Sequence, residues 1–144
     1  MSIEPDLIDA NVLVYAMDAH ASQYEPSRAL LQSTREGSTI LHVTSQILCE
    51  FYSVVMHARP VPNPRSPEDA EAAVSGLLSY LHVLPIPVAT EEPWLDLLIR
   101  HPVKGAKIFD LQIAAAMQAN EIQRIYTYNT GGFDAFAEIA VLAP

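Results

Sequence analysis

The sequence predicts an α/β fold, a single-domain three-layer sandwich in which helices flank a central parallel sheet of four to five strands. Three observations carry this. Short runs of Val, Ile and Leu alternate along the chain with longer segments of helical periodicity, the order that builds parallel sheets covered on both faces. The first run is apolar at nearly every position rather than at alternate ones, as a central strand buried on both sides would be. The length of 144 residues suits one core and leaves too little for a second, so residues 1–144 are expected to form one domain.

Taken in order, Pro5 to Tyr15 reads as the first strand followed by a turn. A helix covers about Gln23 to Glu36 and stops at Gly37, and Thr39 to Val43 is the second strand. Thr44 or Ser45 then offers an N-cap, and Ile47, Leu48, Phe51, Val54 and Val55 form an apolar stripe at helical spacing with Glu50 at its edge. Pro60 to Pro67 holds four prolines in eight residues and reads as a semi-rigid loop. Ser66-Pro67-Glu68-Asp69 starts a helix running to about Tyr80. His82 to Pro87 is a short strand near a sheet edge, because Pro85 cannot donate to a ladder. Helices follow from about Thr90 and over Ile108 to Asn120. The close is a strand Arg124 to Tyr128, a Gly131-Gly132 turn, a short helical segment from Phe133 to Ala137 and a last strand Ile139 to Leu142.

Composition narrows the class. Half the residues are hydrophobic, yet no apolar stretch approaches the roughly 18 residues of a membrane span. Acids at Glu4 and Asp6 stand where a secretory signal carries Lys or Arg, so a cytoplasmic location is expected and no membrane association. Cys49, the one cysteine, has no disulfide partner in the chain and reads as an ordinary buried thiol. The five histidines lack paired ligand spacing and read as surface or packing residues. A net charge of -9 weighs against nucleic acid as a partner. The distribution softens that objection: Arg100, Lys104 and Lys107, three of eight basic residues, fall just before Asp110.

Three acids interrupt apolar patterns. Asp9 sits in Leu7-Ile8-Asp9-Ala10-Asn11-Val12-Leu13, where an ionised carboxylate is costly to bury unless a cation compensates it. Glu50 and Asp110 break apolar helical runs in the same way. Each has a bland explanation alone: a turn residue for Asp9, an exposed helix acid for Glu50, a helix-start acid for Asp110. In a parallel α/β sheet, however, all three reach the crevice beyond the carboxyl ends of the strands. Carboxylates gathered there repel unless cations hold them, and an oxygen-only donor set suits Mg²⁺ or Mn²⁺ rather than zinc.

At these residues the chain resembles a known family. Leu-Ile-Asp9-Ala-Asn11-Val-Leu, Ser45 with Glu50-Phe51, Gly105-Ala-Lys-Ile-Phe-Asp110-Leu-Gln-Ile-Ala-Ala, and Thr127-Tyr-Asn129-Thr-Gly-Gly-Phe133 are similar, in order and spacing, to the motifs of PIN-domain ribonucleases, especially the VapC-like toxins of VapBC-type toxin-antitoxin pairs. The resemblance covers nearly the whole chain. It implies a PIN-like fold and a metal-dependent endoribonuclease that hydrolyses RNA phosphodiester bonds. It puts Asp9, Glu50 and Asp110 on the acidic catalytic and metal-binding positions, with Asn11, Ser45 and Thr127 as polar supports. Many members carry Asp where this chain has Asn129, and often another acid at Gly132, so the fourth ligand is Asn129 or Asp134. With one negative charge fewer, a single tightly bound Mg²⁺ (or Mn²⁺) is expected. Lys104 and Lys107 are candidates to steer RNA into the cleft. The resemblance further implies a cognate antitoxin and a homodimer. Two alternatives stand beside it: a catalytically weak or inactive PIN-like module binding RNA or protein, and an aspartate phospho-acceptor α/β protein.

Overall fold

The computed structural model describes residues 3–57, 64–85, 91–136 and 138–144, with the backbone alone at 91–93. Among them the chain forms β1 (Pro5–Ile8), α1 (Ala10–Tyr15), α2 (Tyr24–Arg35), β2 (Ile40–Val43), α3 (Ser45–Val55), α4 (Pro67–Leu78), β3 (His82–Val83), α5 (Glu91–Arg100), α6 (Lys107–Ala119), β4 (Arg124–Tyr126) and β5 (Ala140–Leu142). The strands make one parallel sheet in the order β3-β2-β1-β4-β5. The predicted α/β class, parallel sheet and flanking helices are therefore present.

This order positions the site. From β1 the chain fills one side of the sheet with β2 and β3, then crosses back to add β4 and β5 on the other. The reversal lies between β1 and β4, paired through Leu7 with Ile125 and Ile8 with Tyr126. Segments leaving two such strands diverge, and the gap beyond their carboxyl ends is the crevice an open α/β sheet offers a ligand. Leu7, Ile8, Leu41, Val43 and Ile125 from the strands and Ile47, Phe51, Leu111 and Met117 from the helices are fully buried. Each such side chain contributes about 1.5–3 kcal/mol of burial, enough to fix the helix starts relative to the sheet.

The first apolar run differs from its predicted course. Strand pairing ends at Ile8, and Asp9, with φ -80° and ψ 159°, caps a six-residue helix by accepting the Ala10 N–H at 2.8 Å. Val12, Leu13 and Val14 are buried in that helix and Asn11 is its one strongly polar residue, so it carries little of the periodicity that marks a surface helix. A short continuous apolar run suits buried strand and buried helix alike.

Elsewhere the boundaries shift by a few residues. Thr44, rather than Ser45, caps α3, its hydroxyl accepting the Ile47 N–H at 3.1 Å. Ser66 caps α4, and Pro67 occupies its first turn. β3 lies at the sheet edge as Pro85 requires, but spans His82–Val83; Ile86 and Pro87 fall outside the described residues, as do Pro60–Asn63 of the proline-rich loop and Thr90. The segment 131–135 is a run of turns rather than a helix, and Ala137 is outside the described residues. Cys49 is exposed, not buried, because α3 turns Ile47, Phe51 and Val55 into the core and leaves position 49 on the opposite side. No helix among the described residues is long and apolar enough to cross a membrane.

Candidate active site

Asp9 follows β1 directly and Thr127 follows β4, so the two meet where the sheet reverses. The Thr127 hydroxyl, fully buried, donates to Asp9 Oδ2 at 3.0 Å and accepts from Asn11 Nδ2 at 2.9 Å and from the Asn129 N–H at 3.1 Å. Asn11 in turn accepts the Tyr128 N–H at 3.0 Å. One hydroxyl thus ties the turn after β1 to the turn after β4. Asp9 is 7% exposed. Burial pushes its carboxyl above the ordinary range, with the Ala10 N–H and the Thr127 hydroxyl working in the opposite direction.

Asp9, Asn11, Glu50, Asp110 and Asn129 line one cleft of about 760 Å³, together with Asp18, Gln46 and a largely apolar wall. α3 delivers Glu50 and the first turn of α6 delivers Asp110. Burial raises the Asp110 carboxyl, the charges of Asp9 and Glu50 raise it further, and Lys107 draws it down. Asp9 and Glu50 therefore both act electrostatically on Asp110. Ser45 is exposed at the start of α3 and does not line the cleft. Asp134 lines an adjoining groove with Lys104, Lys107, Gly131 and Gly132.

Three polar residues of the cleft, Gln46, Asp18 and Ser53, are not singled out by the sequence. Gln46, one turn before Glu50, donates from Nε2 to Glu50 Oε1 at 3.1 Å and to the Phe109 carbonyl at 3.3 Å, bridging α3 to the start of α6. Its i, i+4 spacing from Glu50 was the available signal. Asp18 caps the His20 N–H at 3.1 Å and reads as a local turn residue in sequence; its place in the cleft follows from the short α1.

The donor chemistry fits a hard divalent cation. The lining residues supply mainly carboxylate and amide oxygens, with the hydroxyls of Tyr15 and Ser53 and the single thiol of Cys49, and none of them is Lys or Arg. Among the described residues no three His, Cys, Asp or Glu side chains are drawn together as a ligand cage. The cleft thus gathers like charges without closing on a point between them.

Known proteins carry the same architecture. Over 72 residues, half of this chain and 49% of the relative, the sequence is 36% identical to ribonuclease VapC43 of Mycobacterium tuberculosis, and to the same extent to VapC ribonuclease Mb2897 of Mycobacterium bovis. The chain spans about half the length of the curated relatives it matches. Mycobacterium tuberculosis VapC20, a sarcin-ricin loop cleaving toxin, superposes with a TM-score of 0.68 at 17% identity, covering 96% of this chain and 99% of that one. VapBC2 from Rickettsia felis, solved bound to a promoter DNA fragment, gives 0.70 at 17% identity over 97% and 98% of the two chains. At such identities the structural likeness shows the fold. The PIN domain profile matches residues 7–140, a span that includes all the acids of the cleft, and the chain belongs to the PIN domain family.

Proposed function

We propose that this protein is a single-domain, cytoplasmic endoribonuclease dependent on Mg²⁺ or Mn²⁺, and the toxin of a toxin-antitoxin pair. The observation that carries the reading is the convergence of Asp9, Glu50 and Asp110, from three separate elements, on one cleft where the charges of the first two raise the third. Such an arrangement is unfavourable unless a cation shares it. Family membership and the likeness to VapC ribonucleases support the nuclease reading over the aspartate phospho-acceptor alternative.

In this reading Asp9, Glu50 and Asp110 would hold the ion, Asn129 would be the fourth ligand, and Asn11 and Thr127 orient Asp9. Asn129 is preferred to Asp134 because it lines the cleft while Asp134 faces the neighbouring groove. When bound, the cation lowers the pKa of an attacking water and offsets the charge that builds on the phosphate. A cleft carboxylate takes the proton, and Lys104 and Lys107 guide the RNA backbone past the acids. Because water attacks, the products carry 5′-phosphate and 3′-hydroxyl ends, and the RNA 2′-hydroxyl is not consumed.

A cognate antitoxin would lay a helix over the apolar wall and cover the acids. A second copy of the chain would cover Leu95 and Ile99, which stand one turn apart and exposed on α5. The test is cleavage of tRNA, rRNA fragments and unstructured RNA by the purified protein, in Mg²⁺, Mn²⁺ or EDTA, beside Asp9→Asn. Metal-requiring cleavage that disappears in the variant supports the reading. Cleavage surviving the substitution, or 2′,3′-cyclic phosphate ends, overturns it.

A further inference from the structure

We infer that His42 and His82 form a binding site for one Zn²⁺ ion at the edge of the sheet, apart from the acidic cleft and built from nitrogen rather than oxygen donors. The two histidines are distant in the sequence and share no ligand spacing, but the parallel pairing of β2 with β3 sets them directly opposite each other. Residues paired in register on neighbouring strands project to the same face of the sheet. On that face a row runs from Leu7 of β1, fully buried, through His42, partly buried, to His82, exposed on the outermost strand. One imidazole is therefore walled by the core, and the other opens the pair to water. Neither lines the cleft that holds Asp9, Glu50 and Asp110.

The ring centroids of His42 and His82 lie 5.3 Å apart, with the planes tilted by 36°. A Zn–N bond of about 2.1 Å puts each ring centre about 3.2 Å from the ion, so two imidazoles at a tetrahedral angle have centres about 5.2 Å apart. His42 Nδ1 is the one buried side-chain nitrogen or oxygen among the described residues without a hydrogen-bond partner. An orphan of this kind needs a partner the protein does not itself supply, an ion or a water. Burial, and then the neighbouring His82, hold the His42 imidazole below its ordinary pKa, so near neutral pH it is uncharged and has a lone pair to give. Neutral imidazole suits zinc, copper and nickel, whereas Mg²⁺ and Mn²⁺ take carboxylate and carbonyl oxygen. Among the described residues no third His, Cys, Asp or Glu joins the pair, which leaves two positions of a tetrahedral ion to water and makes the site exchangeable. An ion shared by the two rings fastens β3, a strand of two residues, to β2.

The experiment is a Zn²⁺ titration of the full chain, free of added histidines and in excess Mg²⁺, read by the ring-proton resonances of the five histidines and by melting temperature. His42 and His82 should shift together and saturate at one ion per chain, while His20, His57 and His101 stay in place. The melting temperature should rise with Zn²⁺, because the ion binds the folded chain and the pair does not exist in the unfolded one. His82→Ala, at an exposed position, should leave the zinc-free melting temperature nearly unchanged and abolish the rise. It should also weaken Zn²⁺ binding about a hundredfold, the loss of a second ligand held at high effective concentration. Asp9→Asn should leave the His42 and His82 shifts as they are in wild type, which separates this site from a cation at the acids. Shifts spread evenly over all five histidines, binding that survives His82→Ala, or binding lost in Asp9→Asn overturns the site. So does a wild-type chain in which Zn²⁺ moves neither ring, which leaves His42 Nδ1 to a water.

Discussion

Thr127→Val exchanges a buried hydroxyl for a methyl of nearly the same volume, and its consequences can be worked from the hydrogen bonds around it. Asp9 Oδ2 loses a donor, while Asn11 Nδ2 and the Asn129 N–H lose an acceptor. The bond to the ionised Asp9 is worth about 1.5–3 kcal/mol and each of the others about 1 kcal/mol. Shared partners and access of water to Asn11 make these less than additive, so the expected loss is about 3 kcal/mol. For a chain of this size that lowers Tm by about 10 °C. Asp9 should also become harder to ionise, because the hydroxyl is one of the two groups working against burial there. Urea unfolding should give a lower midpoint at unchanged slope. Thr127→Ser, which keeps the hydroxyl, should recover most of the loss. A Thr127→Val protein within about 0.5 kcal/mol of wild type would refute the idea that this hydroxyl joins the two turns.

Further perturbations follow from the same geometry. Arg124 Nε lies 2.6 Å from the Oδ1 of Asp6, which is buried and whose pKa burial raises against the pull of Arg124. Arg124→Met should raise Asp6 further, so the variant's Tm deficit is expected to be widest at pH 7 and to close as acid protonates Asp6; a deficit independent of pH between about 4 and 7 would contradict this. At Gly132 an added Cβ would stand 2.7 Å from Asn129 Nδ2. Gly132→Ala should therefore swing that amide away, reducing cleavage while costing less than about 1 kcal/mol in stability, and cleavage equal to wild type would remove Asn129 from the ligand set. Gln46→Leu releases both Glu50 and the Phe109 carbonyl, and RNA cleavage is expected to fall about ten- to a hundredfold with little change in Tm. Unchanged cleavage would show that Glu50 needs no such bridge.

What the sequence could disclose depended on whether the signal was local. α3 and α4 were legible because caps at Thr44 and Ser66 precede apolar stripes, and the edge position of β3 followed from Pro85. α1 was not, since a short and mostly buried apolar run carries no periodicity to separate helix from strand. Asp9, Glu50 and Asp110 stood out because each breaks an apolar pattern. Gln46 and Asp18 did not, because an amide and an acid in polar settings acquire meaning only when α1, α3 and α6 are brought together. Cys49 shows the converse: residue type suggested burial, and helix phase decided exposure. The separation of Asp134 from the cleft likewise depends on the turns at 131–135, whose course a Gly-Gly pair leaves open.

The central claim is that three carboxylates from three elements act as one cation site. Its most direct test is a Mn²⁺ titration of the full chain by calorimetry, comparing wild type with Asp9→Asn, Glu50→Gln and Asp110→Asn. The account predicts one tight site without RNA, weakened substantially by each of the three substitutions. Binding that survives all three unchanged, or no binding by a folded wild-type protein, would contradict it.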